Sequence, residues 1–121
     1  MHGLEWVFSI VLAVVLFITG VIKVFRYEKS RDLLPWVKDV PRAFAQAIGV
    51  VEILGALGLI LPVITGIYPW LTLVAAVALA LLMLLAAVFH LLRRETTEAG
   101  INVLLLIMLA FVAYVRWPLM P

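Results

Sequence analysis

The chain has 121 residues, 67% of them hydrophobic and 13% charged, with a mean hydropathy of +1.25, whereas soluble domains carry about a quarter charged residues. A water-soluble domain this short leaves about 40% of its unfolded surface exposed, so lipid must cover much of the apolar surface. There is no cysteine, which excludes disulfides, thiolate metal sites and iron–sulfur clusters, and the net charge of +2 comes from basic residues beside apolar runs rather than from a nucleic-acid-binding stripe.

Four stretches approach the length needed to cross a bilayer, about 20 apolar residues: Leu4 to Phe25, Ala43 to Ile64, Tyr68 to Leu92, and Ile101 to Trp117. The expected fold is an all-α, up-down-up-down four-helix membrane bundle forming a single domain over 1–121. The first stretch is not read as a signal peptide, because its charges follow the apolar run and no small-residue cleavage site is evident. It is expected to remain as an anchor.

The segment 26–42 is long and charged, while Pro62 to Pro69 and Arg93 to Gly100 are short enough to make the flanking helices antiparallel neighbours. Within the long loop, Leu33, Trp36, Val37 and Val40 fall at helical spacing, which predicts an interfacial amphipathic turn with Pro35 near its start and Pro41 ending it. Arg26, Lys29, Arg31, Lys38, Arg42, Arg93 and Arg94 lie on one side, and only Arg116 near the other. The positive-inside bias places both termini outside a plasma or inner membrane. Trp6, Tyr68, Trp70 and Trp117 mark an aromatic belt at that outer boundary.

Ionisable residues within spans cost about 2.5 to 3.5 kcal/mol at a helix centre on insertion scales and require explanation. Lys23 and His90 fall about 5 Å inside the loop-side boundary, and Glu52 about 13 Å, at 1.5 Å per residue. Side chains lean toward a helix's N-terminus, so Lys23 and His90 lean inward and Glu52 leans back toward them. Lys23 either pairs with Glu52 or snorkels to the interface. Asn102, at the start of the fourth span, is expected to add a fourth polar group. Arg116, next to Trp117, is read as an interfacial anchor. Gly20 shares a face with Lys23, Gly49 and Ala56 share one with Glu52, flanked by Gly55 and Gly58, and Ala76, Ala80, Met83 and Ala87 share one with His90. Small residues at such positions let helices approach and are expected to leave room for a ligand.

Gly20-Val21-Ile22-Lys23, the run from Gly49 through Glu52 and Gly58 to Pro62, and Ala86 to His90 resemble the DoxX-like family of small four-helix membrane proteins. The resemblance implies the bundle fold and carries the family's polar positions onto Lys23, Glu52 and His90. Family members include subunits of quinone-linked sulfur oxidation and membrane oxidoreductase complexes, and animal relatives act as receptor assembly chaperones. The expected function is therefore an accessory or quinone- or lipid-binding subunit of a membrane oxidoreductase complex, with Lys23, Glu52, His90 and Asn102 as ligand-binding residues. No covalent cofactor or metal is expected, and a quinone is the candidate cofactor. One membrane histidine cannot supply paired axial haem ligands, so electrons would come from a partner protein. The alternatives are a non-enzymatic assembly or small-molecule-binding protein and, below it, a small multidrug exporter. An exporter of that kind carries its glutamate in the first span and has balanced loop charges, unlike this chain. The expected partners are the bilayer and another membrane protein, with an oligomer open and nucleic acid excluded.

Overall fold

The computed structural model describes residues 3–119 and is helical almost throughout: α1 (Leu4–Phe25), α2 (Tyr27–Leu33), α3 (Arg42–Thr65), α4 (Trp70–Leu92) and α5 (Thr96–Arg116), with short 3₁₀ helices at Pro35–Asp39 and Trp117–Leu119. The four long helices meet the length and hydropathy of membrane spans. In lipid no water can satisfy a free backbone amide, so continuous helix is the stable state of such segments. Their sides away from the bundle are covered with exposed Val, Leu, Ile and Phe, as in Leu54, Leu81, Leu85 and Ile107. These residues face the hydrocarbon.

Helix α1 packs on α3 and α5, and α4 packs on α3 and α5, so the bundle closes as a ring in the order α1, α3, α4, α5. Each contributes an inward stripe at spacings of three and four residues: Ser9, Leu12, Leu16, Gly20 and Lys23 on α1; Gly49, Glu52, Ala56 and Leu59 on α3; Ala76, Leu79, Met83, Ala87 and His90 on α4; Leu105, Leu109 and Val112 on α5. The middle of the ring is a dry apolar layer, with Leu12, Leu59, Leu79 and Leu109 fully buried. The buried polar side chains lie on either side of this layer, with Glu52 near the midpoint of α3.

The helix termini depart from the expected bounds in places that have physical causes. Helix α3 ends at Gly66, whose left-handed conformation (φ 73°) suits glycine alone without strain and whose N–H closes on the Pro62 carbonyl. That carbonyl's helix also contains Pro62 itself, which has no N–H to offer the Gly58 carbonyl one turn earlier. The fourth span begins at Thr96 rather than Ile101, because Gly100 is accommodated inside the helix instead of preceding it. The connection from α4 to α5 is accordingly only Arg93 to Glu95. It closes as a helix-ending turn in which the Glu95 N–H donates to the His90 carbonyl (2.8 Å) and the Arg94 N–H to the Leu91 carbonyl (3.0 Å). Arg94 takes the left-handed position (φ 62°) that glycine usually fills.

The long loop is also more ordered than one amphipathic turn. It folds as α2 followed by the 3₁₀ helix, with the break at Leu34, whose extended backbone is what a residue before proline adopts. Val37 is fully buried, but Leu33 is exposed and Val40 only half-buried, so the four apolar residues do not form a single face. Pro41 does end the segment, standing immediately before α3.

Candidate functional site

The two glycines of the α1–α3 contact set the site's geometry. A Cβ on Gly20 would lie 2.6 Å from the Gly49 carbonyl oxygen and 2.8 Å from the Ile53 side chain, and one on Gly49 would lie 2.9 Å from the Gly20 carbonyl oxygen and from Lys23 Cβ. Only glycine permits backbones this close. One turn further along each helix the charged side chains meet: Lys23 Nζ donates to Glu52 Oε1 at 2.7 Å, with both side chains about 6% exposed. Lys23 therefore pairs rather than snorkels. Thr19 Oγ1 lies 3.3 Å from Glu52 Oε2 and 3.2 Å from the Leu16 carbonyl, and its one proton serves one of these acceptors at a time. Gln46 adds a second tie between the helices, donating to the Val24 carbonyl.

The small residues on α3 do not leave open space. A Cβ on Gly55 would lie 2.5 Å from Leu79, and one on Gly58 would lie 2.8 Å from Ala75 Cβ. The room expected beside Glu52 is thus taken up by neighbouring side chains.

His90 is buried, as expected for an inward group on α4, but it does not touch the Lys23–Glu52 pair. Trp36, from the 3₁₀ helix of the long loop, stands between them, its ring centre 5.1 Å from Lys23 Nζ and 6.3 Å from the His90 ring. An ammonium this close to an indole is attracted by the ring's quadrupole. His90 Nδ1 is instead 2.9 Å from Glu95 Oε1, which also accepts from Arg93 Nε at 2.9 Å, while Arg93 reaches across to Asp39. The hydrogen bonds from His90 and Arg93 hold the Glu95 carboxyl below the usual carboxylate range, and those to Asp39 and Glu95 raise Arg93 further. This surface network clamps the loop segment carrying Trp36 onto the α4–α5 turn. Asn102 joins neither group: its side-chain nitrogen is buried with no hydrogen-bond partner among the described residues.

At the opposite end, the inward stripes of α1, α4 and α5 finish in Glu5 and Ser9, Thr72, and Arg116. Glu5 is 4% exposed, and Ser9 and Thr72 are fully buried. Glu5 Oε2, Ser9 Oγ, Thr72 Oγ1 and Arg116 Nε and Nη2 have no hydrogen-bond partners among the described residues. Arg116 does not simply anchor at the interface beside Trp117; its guanidinium turns back over the Trp6 ring of α1, 4.9 Å from its centre. The inward 4-3-4 spacing of Leu105, Leu109, Val112 and Arg116 was the available signal for this.

The residues sequence reasoning missed at the inner site are Thr19 and Trp36. Thr19 stands one turn before Lys23 on α1, so its position beside Glu52 follows once the pair is placed. Trp36 has no such signal, since its position depends on how the loop folds back.

Among the described residues, no group of three or more His, Asp or Glu side chains is placed to hold a metal ion. Comparison with curated proteins and with solved structures finds no match. The model of the DoxX-like family matches residues 7–112, a span that takes in Lys23, Glu52, His90, Asn102 and the glycine contact between α1 and α3, and the chain therefore belongs to the DoxX-like family.

Proposed function

We propose that this DoxX-like membrane protein is a quinone- or lipid-binding accessory subunit of a membrane oxidoreductase complex, and that the ligand's polar head is held beside Lys23 and Glu52 under Trp36. The observation that carries the reading is the buried ammonium of Lys23, which has one hydrogen-bond acceptor, Glu52, among the described residues, although an ammonium has three donors. The remaining donors face an aromatic ring on a short loop helix. A quinone head matches that chemistry: its carbonyl oxygens accept from Lys23, its flat ring stacks on or replaces the indole, and its tail runs into lipid along the bundle. Glu52 holds the lysine aimed, His90 supplies a further donor or acceptor on the far side of Trp36, and Asn102 brings to the same end an amide nitrogen with no partner among the described residues. Electrons would be supplied by the partner protein, and the loop side, with its excess of Lys and Arg, faces the cytoplasm.

The test is thermal unfolding of the purified protein in a fixed detergent, with a short-chain quinone added to wild type and to Glu52→Gln. A ligand specific for the folded state stabilises it by about 2.7 kcal/mol at a hundredfold excess over its dissociation constant. Wild type should be stabilised and the variant much less. Equal responses, or none, would show that the pair only joins the helices.

A further inference from the structure

The loop end of the bundle carries a second polar feature, separate from the Lys23–Glu52 pair. Where α1 passes into α2, and α3 begins beside them, an open recess of about 630 Å³ is lined by Phe25, Arg26, Tyr27, Glu28, Lys29, Asp32 and Arg42. Arg26, Lys29 and Arg42 form no ion pair among the described residues. Of the two acids on the wall, Glu28 is engaged by Arg31 at 3.2 Å, which leaves Asp32 against three unpaired cations. The Arg42 guanidinium lies 4.7 Å over the Tyr27 ring, which fixes its plane while its N–H edges remain free to donate. Phe25, the last apolar residue of α1, is 73% exposed at the rim.

Loop cations that serve only to orient a membrane protein can sit anywhere near the span ends. Three of them converging on one recess, with one guanidinium held by an aromatic ring, is a more specific arrangement. Arginine forks match the oxygens of a phosphate in a two-point contact, and lysine supplies a point charge. The recess also sits where a span ends, with an exposed phenylalanine in its lining. We propose that this recess binds a phosphate group, with Arg26 and Arg42 donating to its oxygens and Lys29 balancing its charge. The chemistry fits the phosphodiester of an anionic phospholipid, with Phe25 against its acyl chain, and also a soluble phosphate ester.

The experiment uses the full chain in a neutral detergent, following thermal unfolding during titration with short-chain phosphatidylglycerol, with phosphatidylcholine of the same chain length, and with glycerol 3-phosphate. Wild type should be stabilised saturably by phosphatidylglycerol and not by phosphatidylcholine. The apparent Kd should weaken about tenfold or more in Arg26→Gln/Arg42→Gln, as expected when two surface cations are lost, and less in the milder Lys29→Gln. Lys38→Gln, an exposed cation on the same loop but off the recess, should bind like wild type. Stabilisation by phosphatidylglycerol alone supports a lipid headgroup as the ligand; an equal effect of glycerol 3-phosphate supports the same site with a soluble ester. The proposal is overturned if phosphatidylglycerol and phosphatidylcholine act alike and glycerol 3-phosphate does nothing, or if Lys38→Gln weakens binding as much as Lys29→Gln does.

Discussion

A carboxylate in a membrane helix must find a cation, a proton or a polar cavity, because an uncompensated charge there is costly. Glu52 finds Lys23 at 2.7 Å and Thr19 at 3.3 Å, and both charges stood out in the sequence because their surroundings are almost wholly apolar. Glu5 did not. One residue into α1, it reads as an ordinary first-turn acid facing water, yet it is 4% exposed, and only the burial of Ser9 one turn along the same stripe shows why. His90 was legible as an inward residue, but its partner was not, because Glu95 is brought back by a turn that requires Arg94 in a left-handed conformation and no glycine marks the place. That turn makes a pH prediction. The His90 and Arg93 hydrogen bonds depress the folded-state titration of Glu95, so its contribution is present above the unfolded carboxyl range, near 4.3, and is lost as pH falls through the lower folded value. Wild type should therefore lose more thermal stability than Glu95→Gln as the pH is lowered from about 6 to about 3. Parallel acid limbs in the two proteins would show that the network adds nothing measurable.

Between helices the decisive feature is close approach. Small residues on α1, α3 and α4 were visible as faces in the sequence, but whether such a face is a packing surface or the wall of a cavity depends on the side chains opposite. Leu79 occupies the space at Gly55, and the Gly49 backbone occupies the space at Gly20. Because the obstacle at Gly20 is a carbonyl that cannot move aside without shifting α3, Gly20→Ala should be strongly destabilising, by about 1 to 3 kcal/mol on the scale of overpacked cores. It should also part Lys23 from Glu52. Gly100→Ala, where nothing lies within 4 Å of the added carbon, should be neutral or slightly stabilising, since alanine favours the helix by up to about 1 kcal/mol. Comparing their unfolding temperatures in one detergent checks both, and equal effects would remove the close approach from the account. The position of Trp36 was illegible for a related reason. Its loop reads as one amphipathic turn by spacing, but the backbone restriction before Pro35 divides it into two short helices and turns the indole toward Lys23.

For the whole molecule, the number of spans and their alternating direction followed from hydropathy and loop lengths, since each helix needs about 30 Å of continuous apolar length and short links force antiparallel neighbours. The ring order α1, α3, α4, α5 was not readable, because it depends on which inward stripes fit together. The charge bias further predicts one fixed orientation, with both termini outside. Single cysteines at Gly3 and Thr97, exposed at opposite ends of the bundle, enter a chain with no native cysteine. An impermeant thiol reagent applied to intact cells should label the first and spare the second, and the reverse pattern would invert the topology. The Lys23–Glu52 pair is the charged joint between α1 and α3, and a double-mutant cycle measures its strength directly. Removing one partner of a buried ion pair costs about 3 to 5 kcal/mol, because the other charge is left uncompensated, whereas removing both costs less. Thermal unfolding of the wild type, Lys23→Met, Glu52→Gln and the double variant in the same detergent should show each single variant less stable than the double. Losses that simply add would contradict the pair and leave the two residues in separate environments.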